Sequence, residues 1–158
     1  MAIKATQKDY DNCNNSESLD VSLAGCTVII NDKSRSTTDR AAAYIQQGNI
    51  QLNAKFHHSA MKSYERALKL EPRNGLAYAA RAIAHWKVAE IEKEREYLDW
   101  ERDERLKAVA DYRRASEIDS NQIKEMTNAS PELQQISAMA ARGVPPLPKG
   151  WRAPPRGG

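Results

Sequence analysis

The spacing of Ala60, Tyr64 and Ala67 within FHHSAMKSYERALKLEPRNG constrains this chain more than any other feature. Intervals of four and three residues put all three on one helical face. Two small residues on that face let a second helix axis come close, and the tyrosine between them fills the space left over. Pro72 and Gly75 then stop the helix. Upstream, Ala43, Tyr44 and Gly48 mark a second amphipathic segment, so the region reads as a pair of closely packed helices. Composition agrees, because one Phe and few β-branched runs leave little from which to build a sheet core. A chain of 158 residues suffices for one compact domain that buries roughly two-thirds of its unfolded surface.

Taken together, Tyr44, Gly48, Ala60, Tyr64, Ala67 and Pro72 resemble the tetratricopeptide repeat (TPR), a helix-turn-helix unit of about 34 residues. Gln47 stands where that family prefers Leu, and Gln51 where it prefers an aromatic. A shift of one repeat length predicts an aromatic at 78 and a small residue at 82, and NGLAYAARAIAH supplies Tyr78 and Ala82. The second helix of that repeat should carry its signature at 94 and 98. The signature arrives instead as Ala108, Tyr112 and Ala115, fourteen residues late. Fourteen residues are close to four helical turns, so about seven added to each helix would restore the register of both faces. On this reading EIEKEREYLDWERDERLK, residues 90 to 107, is the tip of an elongated hairpin. Its mixed charges suit helices that protrude into water. Trp86, Ile91, Leu98 and Leu106 are the expected seam, with Asp99 or Asp103 capping the returning helix.

The flanks are read more coarsely. Residues 1 to 8 are expected to be a flexible N-terminus, and 9 to 143 the TPR-like helical domain. SLDVSLAGCTVIIND has the character of a repeat's second helix, with Cys26 at the aromatic position. The DNCN and AGCTVII pair resembles the cysteine-bearing opening of small exported bacterial TPR proteins, which implies a disulfide between Cys13 and Cys26. Two buried, reduced thiols are the alternative. SPELQQISAMAARG, residues 130 to 143, has Ser130 as N-cap, Pro131 at the first helical position and Gly143 as stop. Its stripe of Leu133, Ile136 and Ala140 suits a capping helix that closes a repeat array. Residues 144 to 158, VPPLPKGWRAPPRGG, cannot pack as helix or central strand and are expected to be a disordered Pro-rich tail. Its PPLP run resembles the polyproline ligands of aromatic-lined grooves, with Trp151 beside Arg152 as an anchor; incidental prolines in a mobile tail are the alternative. The expected fold is therefore all-α, a TPR-like helical hairpin array of one partial and two full repeats, the second elongated, with a cap and a tail.

Function follows from the same residues. The net charge is +3, and Lys149, Arg152 and Arg156 of the tail account for much of it. Elsewhere bases alternate with acids, which argues against a nucleic-acid stripe. His57, His58 and His85 share no spacing with cysteines or carboxylates that would hold a metal. The carboxylates of 90 to 104 lie in a hydrated stretch unsuited to acid/base work. No enzyme, cofactor or metal is expected. The TPR resemblance implies protein binding in a groove lined by the first helix of each repeat. Its groove positions fall on Ile45, Asn49 and Leu52, then on Leu76, Ala79, Ile83 and Trp86. Such a surface is largely apolar and suits a helical or extended hydrophobic peptide, unless the chain's own terminal helix covers it. The subclass that grips chaperone carboxylates is matched only at Asn49, with Ile45 and Ala80 replacing its Lys and second Asn. A structural homodimer built on Tyr97, Leu98 and Trp100 is the second reading. No stretch approaches the ~20 apolar residues of a membrane span. The opening lacks the apolar core of a signal peptide, so the chain as it stands reads as cytoplasmic. A disulfide would instead point to a periplasmic or secreted protein whose signal peptide precedes this chain.

Overall fold

A computed structural model describes residues 2 to 15 and 17 to 152. Among these residues there are eight helices and no strands: α1 (Gln7–Asn15), α2 (Leu19–Asn31), α3 (Thr37–Asn53), α4 (His57–Leu70), α5 (Gly75–Glu94), α6 (Leu98–Ile118), α7 (Ser120–Ala129) and α8 (Pro131–Arg142). They divide into two compact units, Met1–Ala80 and Arg81–Gly158. The first six residues of α5 belong to the first unit and the rest to the second.

In the first unit α3 and α4 run antiparallel, with Thr38 Oγ1 donating to Glu71 at one end and Ser63 Oγ donating to Gln47 and Gln51 further along. Ser36 caps α3 by accepting from the Asp39 N–H, satisfying one of the donors a helix start leaves unpaired. Tyr64 is fully buried and its ring lies against Gly48, where any Cβ would strike it. Ala60 and Ala67, the small residues that flank Tyr64 on its own helix, are fully buried as well. Ala41, Ala67, Leu68 and Ala77 form the adjoining core. The same device joins α1 to α2: a Cβ at Gly25 would meet the Asp9 carbonyl at 2.6 Å and the Cys13 nitrogen at 2.8 Å. Cys13 and Cys26 form a disulfide buried in a cluster with Ala5, Ile29, Ile30 and Ala43. The opening residues are tied down as well, since the Ala5 N–H donates to Asp32 at 2.7 Å and the Arg35 guanidinium donates to the Ala5 carbonyl.

In the second unit the later part of α5 runs antiparallel to α6. The elongation falls where the register arithmetic puts it. One repeat length carries the end of α3 from Asn53 to Lys87, whereas α5 ends at Glu94, seven residues on. Carried forward by one repeat plus fourteen, the start of α4 falls on Arg105, and α6 begins seven residues earlier at Leu98. The turn itself is preserved. Lys55 (φ 65°) precedes the helix cap Phe56 in the first hairpin, and Glu96 (φ 62°) precedes the cap Tyr97 in the second. Phe56 N–H donates to the Gln51 carbonyl at 2.8 Å, and Tyr97 N–H to the Glu92 carbonyl at 2.9 Å. The cap of α6 is therefore Tyr97, not Asp99 or Asp103: the chain reverses through the left-handed Glu96, and both acids lie within the first turns of the helix.

One further expectation is corrected in this unit, and the cap at 130–143 is joined by a helix that was not expected. Leu106 is 40% exposed, and Arg105 occupies the seam in its place. The Arg105 guanidinium lies 4.1 Å from the centroid of the buried Trp86 ring, while its Nε donates to Glu101 at 2.8 Å. One residue is about 100° of helix, which is enough to exchange the buried and solvent faces. The terminal cap is a pair of helices, because α7 precedes α8, with Asp119 capping α7 by accepting from the Gln122 N–H and Ile123 buried beneath it. Ala82, Trp86, Ala108, Val109, Leu133, Ile136 and Met139 make the core of this unit. Residues 144 to 152 follow α8 outside any helix; the last six residues of the Pro-rich tail, and Met1 of the lead-in, lie outside the described residues.

Candidate protein-binding surfaces

The predicted groove residues divide by burial. In the first unit Leu52 and Ala79 are buried, Ile45 and Asn49 are half-buried, and Leu76 is 39% exposed. Ile45 packs at the edge of the core of Ala41, Ala67 and Leu68. Asn49 is held by the Tyr64 hydroxyl, which donates to its Oδ1 at 2.9 Å, leaving its amide N–H₂ as donors to an approaching chain. Burial of Tyr64 raises the pKa of its phenol well above the ordinary value, so the hydroxyl keeps the proton with which it fixes Asn49. In the second unit Trp86 is 3% exposed, in one cluster with Leu133, Ile136 and Met139, and the half-buried Ile83 packs against that cluster. Those three residues belong to the terminal helix α8, so here the expected positions share a core with the chain's own cap. The Trp86 indole N–H is taken by Glu90 at 3.1 Å.

The tip of the elongated hairpin carries one exposed aromatic, Trp100, beside the half-buried Tyr97. The Tyr97 and Trp100 rings pack with centroids 5.1 Å apart and planes tilted by 45°, Trp100 is 39% exposed, and Leu98 is half-buried. Below the tip the seam is ionic. Arg81 donates two hydrogen bonds to Asp111, at 2.8 and 2.9 Å, and His85 Nδ1 lies 2.6 Å from Glu104. Burial of Glu104 opposes its ionisation, but hydrogen bonds from His85 and Lys107 hold its carboxyl below the ordinary range. Lys87 likewise holds Glu132, tying α5 to α8 at 2.9 Å. None of this seam was legible as a set of partners, since each residue is one charge among many in 81 to 111.

A buried carboxylate that sequence reasoning missed lies in the first unit. Asp32 accepts from the Ser34 hydroxyl at 2.6 Å, the Ser34 N–H at 2.9 Å, the Ala5 N–H at 2.7 Å and Arg35 Nε at 3.3 Å. Led by Ser34 and Ala5, these donors hold its pKa at about 2. It closes the loop after α2 over the lead-in to α1. The only local signal is the D-x-S spacing of an Asx turn, which is too common to single out.

Among the described residues no helix is long and apolar enough to cross a membrane, and no three His, Cys, Asp or Glu side chains cluster to hold a metal ion. Over 68 residues the chain is 32% identical to the TPR repeat-containing protein MJ1428 of Methanocaldococcus jannaschii. That stretch is 43% of this chain but only 12% of that much longer protein. No protein-family model matches the chain, and no solved structure does. The paired helices and this similarity fit a TPR-like family.

Proposed function

We propose that the chain is a non-catalytic protein-interaction module that takes a partner peptide or helix on the first unit, at Ile45, Asn49 and Leu76, with Leu52 and Ala79 shaping the surface from beneath. The observation that carries this reading is the exposed Leu76 at the start of α5, in a unit whose α3 has Asn49 fixed in orientation by a buried tyrosine. A side chain held in advance loses little freedom when a partner arrives, so more of the contact energy remains as affinity. The similarity to a TPR protein supports the class of function; the residues are our assignment. Ile83 and Trp86, packed under α8, are left to hold the second unit together.

Affinity capture from cells of the source organism tests it, with Leu76→Glu and Asn49→Ala compared against the unaltered chain and helicity checked by circular dichroism. Loss of the same partners in both variants is expected. Full retention of every partner by both would remove this surface from consideration. A second reading rests on the exposed Trp100 packed against the half-buried Tyr97: the tip would join two copies of the chain. Sedimentation velocity at high concentration decides it, because a dimer must appear and must vanish on Trp100→Ala.

A further inference from the structure

The tail segment VPPLP, residues 144 to 148, is not absorbed by either surface, and its covalent geometry is unusually restrictive. Pro145, Pro146 and Pro148 have φ fixed near that of a polyproline II helix. Val144, Pro145 and Leu147 each precede a proline, which drives them out of the helical region toward extended conformations. All five residues are thus biased toward one left-handed, three-residue-per-turn form without help from the rest of the protein. The structure adds an anchor. Val144 packs on the core formed by Trp86, Val109 and Leu133, and Arg102 Nε donates to the Pro145 carbonyl at 3.1 Å. Beyond that anchor Pro145, Pro146, Leu147 and Pro148 are exposed, with Leu147 at 36%. In a three-residue turn Val144 and Leu147 share one ridge, and Pro145 and Pro148 share another. Val144, at the root of the first ridge, is half-buried against that core, whereas Pro145 and Pro148 of the second are exposed alongside α6.

We infer that VPPLP is a docking peptide for a protein domain with an aromatic-lined polyproline groove, displayed from a fixed root at the end of α8. Such grooves accept a preformed polyproline helix because little conformational entropy remains to be lost. Lys149 and Arg152 are exposed immediately after the proline ridge and favour a groove with an acidic rim. The inference is independent of the surface around Leu76, and either can fail alone.

The test uses the full chain against a panel of purified SH3 and WW domains, with binding followed by calorimetry. At least one domain should bind, should do so more weakly as salt rises, and should lose at least about tenfold in affinity to the Pro145→Ala/Pro148→Ala variant. Lys149→Glu with Arg152→Glu should weaken the same complex. Thermal unfolding of each variant is recorded alongside, because a segment serving only as a strap would lower stability and leave binding unchanged. No binding across the panel, or binding that survives the double proline substitution, overturns the inference.

Discussion

At the scale of single residues the fold depends on positions where nothing larger fits. Gly48 meets the Tyr64 ring, so Gly48→Ala must displace either the ring or the helix; it should cost about 1 to 3 kcal/mol in urea unfolding, as overpacked cores do. Both residues were legible as positions of the TPR resemblance, and Tyr64 also from its spacing with Ala60 and Ala67; their contact with each other was not. Asp32 was not legible, because its partners come from Ala5, Ser34 and Arg35, and the distant Ala5 contact depends on the folded path of the chain. Its folded pKa of about 2 lies below the ordinary carboxylate value, so its contribution is present above about pH 4 and is lost as pH falls toward 2. Unfolding midpoints measured through that window should fall more steeply for the unaltered chain than for Asp32→Asn, which is weaker at neutral pH. Parallel curves would show that Asp32 does not titrate with folding.

Elements extend the same reasoning to whole helices. The delay of fourteen residues gave the elongation of α5 and α6 and its even division, since helical register is additive along a chain. It did not give the seam, where Arg105 lies inside and Leu106 outside. Hydrophobicity alone ranks those two the wrong way, and the cation–π contact of Arg105 with Trp86 together with its ion pair to Glu101 reverses them. Arg105→Ala should therefore destabilise the chain by about 1 kcal/mol or more, while Leu106→Ala stays within about 0.5 kcal/mol, as exposed positions do. Equal effects would return Leu106 to the seam. The short α7 went unread because its apolar face amounts to Ile123 and Met126. The disulfide stood open between two readings, since spacing permits a bridge without requiring one. It closes a loop of about fourteen residues, so reduction or Cys13→Ser with Cys26→Ser should cost about 3 kcal/mol. That loss should be read as lowered stability of the helices nearest α1.

At the scale of the molecule, the sequence carried the class of fold and the identity of its helical pairs, and was least informative about which predicted binding positions stay available. Leu76 and Trp86 look alike in a sequence as apolar residues on one helix, yet one is exposed and the other lies beneath α8. Burial of that kind is decided by a segment nearly fifty residues away, and no local period encodes it. On the proposed function, partners meet the surface that remains after the chain has buried part of itself. The most direct measurement is photocrosslinking in cells of the source organism, with benzoylphenylalanine placed separately at Leu76, at the exposed Lys69 of α4 and at the buried Trp86 with its folding verified. The account predicts crosslinks to a partner protein from position 76 and none from 69 or 86. Partner crosslinks from 69 or 86 with none from 76 would contradict it.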